Sequence, residues 1–182
     1  MAKPLMRMRR TSKEVFNTDE PIVRFTRQHV EMLKKLLPSA RRGRVRFCAH
    51  RNAKEPIHEM IIAFRRDSYI QPHMHLRKSE SFHVVEGKVD IVIFDRRGGI
   101  RNVIPLGDYS SGRSFFYRIE DAVFHTLVIR SPRLVLHEIT KGPFKVGDAV
   151  YAPWAPTDGD PVAARDFMKD LARKVDDFTT GD

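Results

Sequence analysis

The chain reads as an all-β sandwich or barrel with one helix before it and one after it. Three observations predict this. From about Val45 to Ile139 the sequence breaks into short runs rich in β-branched and aromatic residues. Turn chemistry separates them, with Gly87 and the Gly98-Gly99 pair expected to close hairpins. No helical pattern alternates with the runs, as a parallel sheet with crossover helices would require.

Taken in order, residues 1–17 read as a flexible basic arm, and 18–44 as a helix and its connection. A helix start is expected near Thr18 or Asp19, with Glu20 and Pro21 in the first turn. Phe25, His29, Leu33, Leu36 and Leu37 mark its apolar side, and Pro38 closes it. His29 on that side is expected to be packed, not ligating. Residues 45–144 carry the strands Val45–Ala49, Met60–Phe64, Tyr69–His75, Ser81–Val85, Lys88–Phe94, Arg101–Leu106, Arg113–Arg118, Val123–Ile129 and Leu134–Ile139. Residues 145–182 form an extension, with Trp154 covering apolar surface and a helix over Val162–Val175 that spaces Phe167, Leu171 and Val175 on one side.

At 182 residues, with 9% aromatics, the chain suits one domain with a sizeable core. No apolar run is long enough to span a bilayer, and the basic N-terminus lacks the apolar segment of a secretory signal. A single cysteine, Cys48, excludes an intramolecular disulfide and is expected to be a small buried residue. A cytoplasmic location is the simplest inference. The formal net charge is +10, with clusters at Met1–Arg10, at Arg41, Arg42, Arg44 and Arg46, and at Arg96 and Arg97. Such charge attracts nucleic acid or phosphorylated and carboxylated small molecules, or is simply solvated. No recognition helix, zinc finger or aromatic-interleaved basic strand accompanies it, which argues against nucleic acid; a solvated basic surface is favoured over either ligand class, and a small-molecule substrate, anionic or not, is the expected partner. A homodimer is expected because two-fold dimers are the commonest oligomers.

The chemistry concentrates in YIQPHMHLRKSESFHVVEG, Tyr69 to Gly87. On one strand His73 and His75 project to the same face, since side chains repeat every second residue. Glu80 must return to that face from the next strand, and His125 lies in another strand-like run, VFHTLVI. Three neutral imidazoles and a carboxylate make a site for one divalent transition metal, with positions left open for exchange. No cysteine accompanies them, so Fe, Zn, Mn, Ni and Co all remain candidates. Parity places Tyr69 and Gln71 on the face of His73, Phe82 and Val84 on that of Glu80, and Val123 and Leu127 on that of His125. His83 should face away. Tyr69, Gln71 and Phe82 are candidate substrate contacts. Glu138, in LHEI, is a candidate general base with Tyr69 as a weaker catalytic candidate. The opposing reading makes Glu138 a rim carboxylate paired with an arginine. His50, His58 and His137 have no partner at a ligand spacing.

The pattern H-x-H-x4-E-x6-G, followed by a distant strand histidine, resembles the cupin signature. The words RRGRVRFCAH, SYIQPHMH, ESFHVVEG, HEITKGPF and YAPWAP resemble the WbuC-type cupin-fold metalloproteins, bacterial proteins some of which are associated with O-antigen and other surface-polysaccharide biosynthesis. Two positions depart from the cupin pattern. Asp67 stands where the first motif begins with Gly, and Glu120–His125 lacks the Pro and Gly of the second. The resemblance implies a single-domain double-stranded β-helix, or jelly-roll barrel, with His73, His75, Glu80 and His125 as ligands. It transfers no substrate. The expected activity is a metal-dependent isomerase or epimerase acting on a sugar or sugar nucleotide. An iron-dependent dioxygenase and a non-catalytic small-molecule-binding cupin are the alternatives.

Overall fold

A computed structural model describes residues 6–145 and 147–181. Twelve strands, β1 (Arg9–Arg10), β2 (Val15–Asn17), β3 (Arg44–Cys48), β4 (Ile57–Arg65), β5 (His73–His75), β6 (Glu80–Glu86), β7 (Lys88–Phe94), β8 (Ile100–Gly107), β9 (Phe116–Ile119), β10 (Phe124–Ile129), β11 (Arg133–Lys141) and β12 (Ala149–Tyr151), form two sheets. One sheet runs β1-β2-β3-β4-β11-β6-β9 and the other β12-β5-β10-β7-β8. All pairings but the parallel β2–β3 are antiparallel. The chain passes repeatedly from one sheet to the other, as in the jelly-roll barrel that the sequence predicts.

Each sheet is buried on both sides. Ile62, Phe64, Phe82, Val84, Leu134 and Leu136 of the first sheet meet Val89, Ile91, Leu127 and Ile129 of the second in the barrel interior. Outside the first sheet, Val45, Phe47, Ile61, Ala63 and Val135 pack with Leu33 and Leu37, on and just beyond helix α1 (Arg27–Leu36). Outside the second, Val92, Phe94, Phe124 and Val128 pack with Leu171 and Val175 of helix α2 (Pro161–Thr180). This double burial explains why MIIAF and FHTLVI are nearly continuous apolar runs instead of alternating ones.

Helix α1 starts later than the sequence predicts. Thr26 is its N-cap, and the Thr26 backbone N–H donates to His29 Nδ1 at 3.0 Å. That local bond sets the boundary, and the Glu20-Pro21 signal stays outside the helix. His29 is buried beside Phe25 and Phe47, packed as expected. The expected flexible arm is structured where it is described: β1 pairs with β2, and β2 runs parallel to β3, while residues 1–5 lie outside the described residues. Gly87 does not close a hairpin. It is the corner between β6 of one sheet and β7 of the other, at φ +96°, where an added Cβ would lie 2.5 Å from the Arg133 carbonyl oxygen. Gly98 and Gly99 do close the β7–β8 hairpin, with Asp95 N–H donating to Gly99 O at 2.8 Å.

The C-terminal segment seals the second sheet. Trp154 sits under α2, its ring 5.0 Å from Phe94, 5.9 Å from Phe124 and 6.3 Å from Phe167. Tyr69 joins this layer: its hydroxyl donates to Pro156 O at 2.6 Å and its ring lies against Phe167. The strand expected from Tyr69 begins only at His73, so parity does not carry back to Tyr69.

Two stability outcomes follow. Phe47→Ala removes a fully buried ring from the seam between β3 and α1 and should cost about 3–5 kcal/mol in denaturant unfolding, against less than about 0.5 kcal/mol for exposed Phe116→Ala. Tyr69→Phe should cost about 1 kcal/mol through the lost bond to Pro156, without altering any metal the protein carries.

Candidate metal centre

The second sheet brings three histidines together. His73 and His75 project from the same side of β5, and His125 of β10 pairs in register with His73. Ring centroids are 4.8 Å apart for His73–His75, 4.7 Å for His73–His125 and 5.7 Å for His75–His125. Glu80, the first residue of β6, reaches them from the opposite sheet across the barrel. The four side chains offer one ligand atom each, all within 4.8 Å of one another. Ligands bound to one ion at about 2.1 Å are at most about 4.2 Å apart, so only a small contraction separates this arrangement from a coordination shell.

Backbone carbonyls set the imidazole tautomers. His73 Nδ1 lies 2.9 Å from Gln71 O, and His125 Nδ1 lies 3.0 Å from Val123 O. A carbonyl only accepts, so each Nδ1 carries the proton and each neutral ring turns an Nε2 lone pair inward. His125 Nε2 is 3.2 Å from Glu80 Oε2. His75 Nε2 is 3.4 Å from Glu80 Oε1, yet is buried without a hydrogen-bond partner. Lone pairs facing a carboxylate repel unless a proton or a cation stands between them. One proton satisfies one such pair, whereas a single cation satisfies all four donors. The donor set fits a divalent metal, with the carbonyl-bound Nδ1 groups as the outer anchors that such ligands use.

The surroundings hold the donors in ligating form. Burial, reinforced by His125, pushes the His73 imidazole down to about 4, which keeps it neutral. Burial works to raise the Glu80 carboxyl, but the closeness of the His125 and His75 rings outweighs it and holds the group below the usual carboxylate range. Glu138 behaves oppositely. Burial and the nearby Glu80 push it up to about 8, against the pull of Arg46 and Arg44.

His73, His75 and Glu80 of the centre line a cavity of about 270 Å³. Gln71, Phe82 and Glu138 line it, as the sequence predicts, together with Leu127. Glu138 follows from register: it pairs with Phe82 on β6, two residues from Glu80 on the same face. It has no carboxylate–arginine bridge among the described residues, unlike the rim reading. Tyr69 is absent from the cavity lining and belongs to the packing under α2. Val84 faces the core and His83 is exposed against Phe115, both as parity predicts. Cys48 is buried and its thiol is raised by burial, consistent with a packing role.

Several lining residues escape sequence reasoning. Tyr151 of β12 pairs with His73, their rings 6.2 Å apart, and no local signal marks it. Arg42, Arg44 and Arg46 also line the cavity. For Arg44 and Arg46 a signal does exist: in RVRFC they alternate with Val45 and Phe47, which are buried on the other face.

A family model described as a domain of unknown function (DUF6016) matches residues 25–106. That stretch contains His73, His75 and Glu80 but stops short of His125. No curated protein matches the chain. Solved structures similar to it include a structural-genomics target from Shewanella oneidensis, with 11% identity over 69% of this chain and 78% of that one at a TM-score of 0.48. Oxalate decarboxylase of Bacillus subtilis, a protein with Mn(II) centres, is 17% identical over 65% of this chain at a TM-score of 0.48. Procruciferin, an 11S globulin of Brassica napus, is 9% identical over 52% of this chain at a TM-score of 0.40. The matches span only 30% of the decarboxylase and 22% of procruciferin.

Proposed function

We propose that this chain is a metal-dependent enzyme of isomerase or epimerase type, acting on a sugar or sugar nucleotide. The observation that carries the metal is the convergence of His73, His75, His125 and Glu80, whose inward lone pairs call for one shared cation. The resemblance to WbuC-type proteins is what suggests a sugar of surface-polysaccharide biosynthesis, O-antigen or similar. A divalent ion in this site supplies Lewis acidity towards a substrate carbonyl.

The chain's own residues supply the rest. Ile62, Phe64, Phe82 and Leu127 give the cavity dry walls, which strengthens every charge interaction inside it. Glu138 is the group suited to taking up and returning a proton. Burial and Glu80 push its carboxyl up to about 8, and it lines the same cavity as His73 and His75. Gln71 serves twice, fixing the His73 ring through its carbonyl and lining the cavity. An iron-dependent dioxygenase would use the same four ligands. Substrate-dependent oxygen uptake by the Fe(II)-loaded protein would favour it, whereas deuterium entering the substrate from heavy water, without oxygen uptake, favours the isomerase. A non-catalytic binding cupin would turn over neither.

Protein purified without chelators should carry about one transition-metal ion per chain by elemental analysis. His73→Ala, Glu80→Gln and His125→Ala should each reduce that content severely, while His83→Ala leaves it unchanged. Equal metal content across all of these variants would remove the basis of the reading. Glu138→Gln should retain the metal and lower kcat by about 10²–10⁴-fold, the usual contribution of a positioned general base. A Glu138→Gln enzyme of full activity would exclude Glu138 from proton transfer.

A further inference from the structure

Strand β3 presents two different faces. Val45 and Phe47 are buried against α1, so strict alternation turns Arg44 and Arg46 to the barrel side. Register then fixes their neighbours. Arg44 pairs with Phe64 and Arg46 with Ile62, both of them cavity-wall residues. Two guanidinium groups therefore stand over apolar wall at one end of the cavity that holds the histidine–glutamate centre.

Charges of both signs surround them. Arg42, at the rim, is ion-paired with Asp158, and Glu14 accepts a hydrogen bond from the Arg42 backbone N–H. Glu80 faces the histidines. Glu138 also lines the cavity, and burial favours its neutral form. Among the described residues neither Arg44 nor Arg46 is ion-paired; Arg46 is exposed to solvent and has the Cys48 thiol as a hydrogen-bonding neighbour. Arg44 is half-buried, and burial together with Arg42 and Arg46 pushes its guanidinium down to about 10. Two cations on one face of a strand without an ion pair, one of them partly desolvated, are an arrangement that an anion relieves.

We propose that Arg44 and Arg46 form the anion-binding end of the cavity, holding a phosphoryl or carboxylate group of the substrate while its reacting end lies at the histidine–glutamate centre. The placement of the reacting end rests on the metal reading above; the anion site stands on β3 alone. Strands β3 and β6 are three places apart in the sheet, a separation of about 14 Å between backbones. Side chains reaching inward from both ends shorten that gap to the length of a small phosphorylated or carboxylated molecule. The planar guanidinium fork suits either oxyanion.

The test is calorimetric titration of the full-length, metal-loaded protein with inorganic phosphate and, separately, with malonate. At least one should bind, and the tighter of the two identifies the group recognised. Arg44→Gln and Arg46→Gln should each weaken that binding by about tenfold to a hundredfold, with metal content and melting temperature close to those of the parent. Arg44→Lys keeps the charge without the fork and should fall in between. A metal-free variant, His73→Ala with His125→Ala, should keep anion affinity within about threefold, because the arginines do not need the ion. The proposal is overturned if neither anion binds, if both arginine variants bind as the parent does, or if affinity disappears only with the metal ligands. Loss of metal reading and loss of anion reading are thus separate results: the first shows in elemental analysis, the second in the arginine titrations.

Discussion

Imidazole lone pairs and a carboxylate aimed at one point inside a protein repel one another unless a cation lies among them. The rest of the structure is arranged to keep them there. Gln71 O and Val123 O each take an Nδ1 proton, so His73 and His125 cannot rotate their donors outward without losing a buried hydrogen bond. The β5–β10 register sets His73 beside His125, and β6 brings Glu80 from the facing sheet. A cation at this point would tie the two sheets together across the barrel, so it would contribute to stability as well as to chemistry.

Such a site needs a stiff frame, and the two helices provide it. With α1 outside one sheet and α2 outside the other, both sheets bury apolar side chains on both faces. Close packing on either side leaves little room for a strand to shift by a residue, which would turn every ligand to the wrong face. The tail contributes through Trp154, wedged among Phe94, Phe124 and Phe167, and through the Tyr69–Pro156 hydrogen bond just upstream of the ligand strand. Tyr69, a catalytic candidate by sequence, thereby holds the wall behind the site.

The interior is also polar in a graded way. One end carries the histidines and Glu80, the middle carries Glu138 beside Phe82, and the far end carries Arg44 and Arg46 against Phe64 and Ile62. Glu138 lies beside Phe82 in the lining of the same cavity. Its raised carboxyl arises from the same burial and the same Glu80 charge that the metal centre requires. A single placement of charge in a dry cavity therefore shapes both the ligand set and the candidate base.

The sequence by itself determined what depends on local spacing: the strand-rich middle, the His73–His75 pair, the inward faces of Phe82, Val84 and Leu127, and the terminal helix that buries Leu171 and Val175. Side-chain parity is a property of extended, paired backbone, so it held within β6 and β10 and failed at Tyr69, which precedes the strand. It was also present in RVRFC, where Arg44 and Arg46 alternate with Val45 and Phe47, but alternation alone does not say which face is the barrel. Only the tertiary structure decided that, by laying α1 on the side of Val45 and Phe47. It likewise turned Gly87 from a hairpin into a corner between sheets, carried Glu80 to the histidines from the opposite side, and placed Tyr151 beside His73. Each of those outcomes depends on which distant strands pair, and a strand's own residues do not encode its neighbours.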